Sequence, residues 1–304
     1  MLKLAQYSLL ASVMVVCLAL VCYILVLALG RSVRREPVKE HALVGAGVGS
    51  SGGAAGGSTS QEVVAPAPRS LAAYGTYFTW LALVFLTASL VFRAIYTGHG
   101  PFANQYEFAV AFGWGMMAAY VYFEHRYHVR TIGLLILPVT AALLIYAMTV
   151  GDTAIPLVPA LQNNLLLSIH VALAIIAYGA FSVAGACGVL YLIQSEEGKP
   201  GLPQPAKLDE ISYSAIIIGF PLLTMVVILG AVWADVAWGS YWSWDPKETA
   251  SLLTWLVYGA YLHARVVRGW RGRRAAWLLM LGFACVLFTF FGNLFFGGLH
   301  SYAK

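Results

Sequence analysis

Four of the nine tryptophans, Trp233, Trp238, Trp242 and Trp244, crowd into a stretch that closes as WGSYWSWDPKE at Glu248. Indole rings offer broad flat faces, and neutral imidazole is a favoured ligand for haem iron. His170, in SIHVALAIIAYGAF, and His300, in FFGGLHSY, fall on the same side of the membrane as this cluster under the topology argued below. So does His99, in TGHGPFANQYEF. Together, indoles and imidazoles suit a flat iron macrocycle. Each residue type also has a plainer reading. Tryptophans gather in the aromatic belt at membrane interfaces, which accounts for Trp80, Trp114, Trp270 and Trp277 better than for the crowded four. A lone interfacial histidine with a backbone partner needs no ligand.

Asp245, Pro246, Lys247 and Glu248 fit an N-cap, a proline at the first helical position and a glutamate at the third, the pattern of a capping box. Such a box starts a helix and fixes the exit of the tryptophan stretch, a structural role that leaves a functional one open. His263 lies on that helix, 17 positions after Pro246, roughly 25 Å further along at 1.5 Å per residue. An ionisable residue inside a spanning helix is a functional candidate, and Gly259, one turn earlier, leaves room for a flat ligand. The alternative for His263 is the inner interface, beside Arg265 and Arg268. Ala174 and Ala177 follow His170 at one-turn and two-turn spacing and leave a shallow groove on its face.

The elements that must position these residues are apolar helices. Of the 304 residues, 60% are hydrophobic and 10% charged, with a mean hydropathy of +0.77; soluble domains carry about 25% charged residues. The expected fold class is all-α, a polytopic membrane protein of about eight transmembrane helices. Eight apolar segments reach the roughly 20 residues that cross a bilayer, near 7–29, 72–96, 106–123, 131–150, 165–193, 211–232, 247–267 and 275–297. The net charge of +5 does not indicate nucleic acid, because the basic residues form short clusters between apolar runs. Placing the connections near 30–71, 124–130, 194–210 and 264–274 in the cytoplasm puts all of the 18 lysines and arginines there except Lys3, Arg93, Lys247 and Lys304. Both termini, the tryptophan stretch and the loops around His99 and Asp152 are then extracytoplasmic.

Three units are expected along the chain: an N-terminal transmembrane helix at 1–30, a linker at 31–70 and a membrane domain at 71–304. The first run lacks a strongly basic start and a small-residue cleavage site, and Arg31, Arg34 and Arg35 follow it, so it is expected to remain as a helix. The Gly, Ala and Ser-rich linker has no apolar period and is expected to be flexible and cytoplasmic. His41 in this linker, and His125 and His128 in the connection at 124–130, are expected to be solvated on the cytoplasmic side. Cys17, Cys22, Cys187 and Cys285 sit within helices, without C-x-x-C spacing, as packing residues.

The stretch 233–248 resembles the WWD motif of haem-handling membrane proteins, and the chain from Leu71 to Lys304 resembles the CcsA family, also called ResC, of System II cytochrome c biogenesis. The stretches that carry the resemblance are HGPFANQYEF at 99–108, SIHVALAIIAYGAF at 168–181, LTWLVYGAYLHAR at 253–265 and FGNLFFGGLHSYAK at 291–304, with the tryptophan stretch. The resemblance implies haem b as bound substrate, with His170 and His300 as external axial ligands and His263 as a ligand at a second, transmembrane haem position. It implies that Trp233, Trp238, Trp242, Trp244 and Asp245 pack around the external haem. His99, Arg93, Lys247 and Glu248 would surround it or pair with its propionates. It further implies a bacterial cytoplasmic membrane location, a ResB/CcsB-type subunit supplying the partner of His263, and an apocytochrome c presenting CXXCH. An extracytoplasmic thiol reductant would keep that segment reduced. Synthase activity would reside in the complex. The System I proteins CcmC and CcmF share a WWD motif; eight helices and PFANQYEF favour CcsA. Two other classes of function are a haem transporter without covalent chemistry and an assembly scaffold.

Overall fold

In hydrocarbon every backbone N–H and C=O must be paired within the chain, so apolar segments of this length form helices. The computed structural model describes residues 1–31, 69–100, 102–151, 153, 161–162, 164–199 and 201–300. These form α1 (Leu2–Arg31), α2 (Arg69–Thr97), α3 (Gln105–Tyr127), α4 (Gly133–Val150), α5 (Asn164–Leu192), α6 (Pro205–Trp238), α7 (Pro246–Arg268) and α8 (Arg273–Phe295), with a short 3-10 turn at Arg130–Ile132. All eight expected helices are present, and no strand occurs among the described residues. The linker with His41, and Asp152, Asn163 and Lys304, lie outside the described residues.

Among the described residues six helices are long and apolar enough to cross a membrane, namely α1, α2, α4, α5, α6 and α8. The chain is a multi-pass helical membrane protein. Lower hydropathy rather than length sets α3 and α7 apart, since each is 23 residues long, roughly 34 Å. Glu107 and Glu124 of α3 are buried and lie within ion-pair distance of Arg93 and Arg130. Lys247, Glu248, Arg265 and Arg268 occupy the two ends of α7.

Helix ends follow local chemistry. Asn104 caps α3 by accepting from the Glu107 N–H. The sequence pattern ends the sixth helix at residue 232, whereas α6 continues through Trp238 until Gly239, at φ 76°, turns into the left-handed region and donates to the Asp235 carbonyl. Trp233 and Trp238 are therefore helical, and the connection to α7 is only residues 239–245. Nothing in AVWADVAW breaks a helix before that glycine.

The helices alternate in direction, so the starts of α3, α5 and α7 meet the ends of α6 and α8. α5 lies inside, against α3, α6 and α8. Its approach to α3 is backbone-close: a side-chain carbon on Gly179 would overlap the carbonyl of Gly115. Small residues are how membrane helices reach that proximity. Aromatic stacking fills the rest, with Phe181 on Tyr258 at 4.0 Å and Phe112 on Phe290 at 5.1 Å between centroids. Gly179→Leu is expected to force α3 and α5 apart at a cost of about 1–3 kcal/mol or more. Accumulation in the membrane and melting temperature in detergent should both fall; wild-type values for both would contradict this packing.

Candidate functional site

At the end of the bundle where α3, α5 and α7 begin, a partly open cavity encloses about 1280 Å³ of space counted to its mouth. Its lining is mainly apolar and aromatic with a few polar groups, the usual make-up of a small-molecule site. His170, Tyr178, Trp233, Trp242, Lys247, Glu248 and His300 are on its wall, with Gln105 and Phe108 from the first turn of α3.

His170 is anchored from α6. Its Nδ1 lies 2.9 Å from the Val226 carbonyl. A carbonyl only accepts, so Nδ1 carries the hydrogen and the Nε2 lone pair is left over. Room for the ring comes from Gly230, where a side-chain carbon would stand 2.8 Å from His170 Cε1.

His300 is anchored from α7. Its Nδ1 lies 2.9 Å from Asp245 Oδ1, and the same oxygen accepts the Lys247 N–H at 2.9 Å. Glu248 completes the capping box by accepting from the Asp245 N–H at 3.2 Å and the Ser243 N–H at 2.9 Å. One carboxylate therefore starts a helix and orients an imidazole. Burial pushes the Asp245 carboxyl up, but hydrogen bonds from His300 and Lys247 outweigh it and hold the group at about 2. Burial lowers the pKa of His300, against the upward pull of Asp245. At neutral pH the pair is thus a carboxylate and a neutral imidazole. Here too the carboxylate only accepts, so Nδ1 carries the hydrogen.

The tryptophans divide into two groups. Trp233, 2% exposed, and Trp238 meet edge to face at 4.7 Å and enclose His300, at 5.8 and 4.8 Å between ring centroids. Trp242 and Trp244 meet at 5.8 Å in the connection. Trp242 lines the cavity, while Trp244 is 69% exposed and has a positive φ of 59°.

The remaining candidates are spread more widely. Lys247 places its ammonium 4.8 Å from the Phe108 ring centre on the cavity wall. Arg93 is buried in an ion pair with Glu107 at 2.9 Å. His99 bonds the Gly100 carbonyl at 2.8 Å and approaches Glu107 at 4.0 Å. Neither Arg93 nor His99 lines the cavity; they brace the start of α3, which supplies Gln105 and Phe108 to it. His263 is exposed on α7, far from the cavity, on a face with Leu253 and Leu256. His125 and His128 are exposed at the opposite end. Sequence reasoning did not single out Val226, Gly230, Phe108 or Tyr241. Of these only Gly230 left a signal, as a glycine inside an apolar helix facing no obvious turn.

Residues 102–300 match the family described as cytochrome C assembly protein. The chain is 38% identical over 258 residues to the cytochrome c biogenesis protein CcsA of Guillardia theta, covering 75% of this chain and 84% of that one. The chain belongs to the CcsA family. The CcsA of Gloeobacter violaceus is 36% identical over 290 residues, covering 75% of this chain and 86% of its own, and that of Synechococcus elongatus is 36% identical, covering 79% and 90%. A solved structure named cytochrome c heme lyase CcmF has a similar fold, with a TM-score of 0.58 at 20% identity. The match covers 93% of this chain and 46% of that one, so the chain spans about half the length of CcmF. As a CcsA-family member the chain acts in cytochrome c maturation. The family match encloses His170, His263, His300 and the whole tryptophan stretch, and leaves Arg93 and His99 outside.

Asparagine caps helices about as well as aspartate. Asp245→Asn should therefore keep α7 intact while removing the negative charge that favours imidazolium at His300. The His300 titration, followed by nitrogen NMR in detergent, should move to lower pH; no shift or an upward one would contradict the coupling.

Proposed function

We propose that this chain binds haem b as a substrate in the cavity and presents it for thioether attachment to the CXXCH segment of apocytochrome c, acting with a ResB/CcsB-type subunit. The observation that carries the reading is the pair of imidazoles on one aromatic cavity, each with Nδ1 engaged by the protein. His170 and His300 would ligate the iron through Nε2. Trp233 and Trp238 hold His300, and Trp242 and Trp244 supply further flat surface beside the porphyrin. Lys247 is the cation on the wall for a propionate, while Asp245 and Glu248 keep the loop and the start of α7 in place.

The chemistry asked of the protein is positioning. Each cysteine S–H adds across a vinyl C=C: a C–S bond forms at the carbon next to the ring, and hydrogen goes to the terminal carbon. No electrons are gained or lost. The histidine of CXXCH then replaces one protein ligand. Holding thiol and vinyl together can supply most of the rate gain, and no side chain here is required as a nucleophile. The thiols must arrive reduced, which calls for a reductant on the extracytoplasmic side. The distribution of basic residues supports a cytoplasmic membrane location with the tryptophan stretch outside. His263, exposed on a face of α7 that the described residues leave uncovered, would ligate a second haem completed by the partner subunit.

The test is covalent cytochrome c, read by haem staining in cells expressing the chain with its partner. His170→Ala and His300→Ala are expected to abolish product, and His263→Ala to diminish it, while each protein still accumulates. Gly230→Leu should act like His170→Ala, because the added side chain displaces the imidazole. Undiminished product in His170→Ala and His300→Ala would overturn the reading. Haem bound without covalent product in the wild type would indicate a transporter, and no bound haem a scaffold.

A further inference from the structure

α7 is an amphipathic helix turned inside out. Its exposed face is apolar, with Leu253, Leu256 and Val267 at 48%, 51% and 63% exposure. Its buried face carries Thr254, Tyr258 and Tyr261, each at most 1% exposed, and runs on to Arg265. In a membrane the outer face suits lipid. The inner face needs a different explanation, because buried polar groups are costly there unless paired.

The pairing is incomplete at the centre of this face. The hydroxyl of Tyr258 is buried and has no hydrogen-bond partner among the described residues; that of Tyr261 is equally buried, with the Ser212 hydroxyl of α6 beside it. Such groups in folded proteins are normally satisfied, often by internal water. Thr289, on the cavity wall, lies 3.4 Å from Thr254, oxygen to oxygen. Each of these threonines donates to its own helix backbone, at 2.9 and 2.8 Å, and so retains lone pairs that can accept from water. Thr254, Tyr258, Tyr261 and Arg265 recur at three- and four-residue spacing and so share one face of α7. At the far end Arg265 holds Asp209 of α6 in a two-point ion pair at 2.7 Å on both arms.

We propose that a file of internal water runs along the inner face of α7, from the cavity floor at Thr289 to the Asp209–Arg265 pair, and conducts protons as far as that pair. Donor and acceptor then alternate: water donates to Thr254 and accepts from Tyr258, and the next water repeats the pattern at Tyr261. The ion pair closes the file, so the intact chain is not a leak. This inference rests on burial and hydrogen bonding and holds whatever ligand fills the cavity.

Two measurements on the full chain in lipid test it. X-ray radiolysis makes hydroxyl radicals from water wherever water sits, buried water included. Tyr258 and Tyr261 should be oxidised far faster than Phe181, which is equally buried and stacked on Tyr258, and within about tenfold of exposed Tyr241. Oxidation of both tyrosines as slow as that of Phe181 would overturn the water file. In proteoliposomes with an internal pH dye, Asp209→Asn should raise proton flux several-fold over wild type, and Asp209→Asn with Tyr258→Phe should restore the wild-type rate. No rise in Asp209→Asn, or a rise that persists without the Tyr258 hydroxyl, would overturn conduction along this face.

Discussion

Asp245 Oδ1 is the atom on which the site depends. It accepts the N–H that starts α7 and the Nδ1–H of His300, both at 2.9 Å. The first contact fixes where Lys247 and Glu248 leave the helix, and hence which side chains reach the cavity. The second fixes the tautomer and the orientation of His300. A carboxylate at a helix N-terminus is favoured by the unpaired N–H groups and the helix dipole there, so the charge that orients the histidine is itself held in place. His170 is tied at the same nitrogen by the Val226 carbonyl, so two imidazoles from different elements are held by the same atom on one cavity.

Around that pair the membrane sets unusual demands. A soluble protein buries apolar surface and exposes charge; α7 does the reverse, with leucine and valine outward and hydroxyls inward. The buried carboxylates of α3 follow the same logic, since Glu107 and Glu124 lie close to Arg93 and Arg130. Both ends of α3 are thereby pinned to neighbouring segments, and its first turn becomes a fixed part of the cavity wall. Arg93 contributes to the site through Glu107 rather than by facing the cavity.

Much of this was legible in the sequence. Apolar run lengths gave eight helices, because hydrocarbon leaves no other economical backbone. The capping box was legible because its signal is local, four residues whose types and order satisfy one helix end. The gathering of His170, His300 and the tryptophans at one end followed from counting crossings. What was not legible depended on contacts between distant segments. Trp233 and Trp238 read as loop, but Gly239 is the first residue that stops α6. Arg93 read as a candidate propionate partner, and its ion-pair partner Glu107 lies 14 residues on, across the connection from α2 to α3, a contact that only the folded chain makes. Tyr258 and Tyr261 of LTWLVYGAYLHAR carry no local signal; the burial of their hydroxyls emerges only when the neighbours on α6 and α8 are in place.

The central claim of the proposed function is ligation of haem iron by His170 and His300. Low-temperature electron paramagnetic resonance on the ferric, haem-loaded complex reads the axial ligands directly. The account predicts a low-spin signal from two imidazoles at the cavity, converted to high spin in His300→Ala and restored by added imidazole. A low-spin signal unchanged in both His170→Ala and His300→Ala would contradict it.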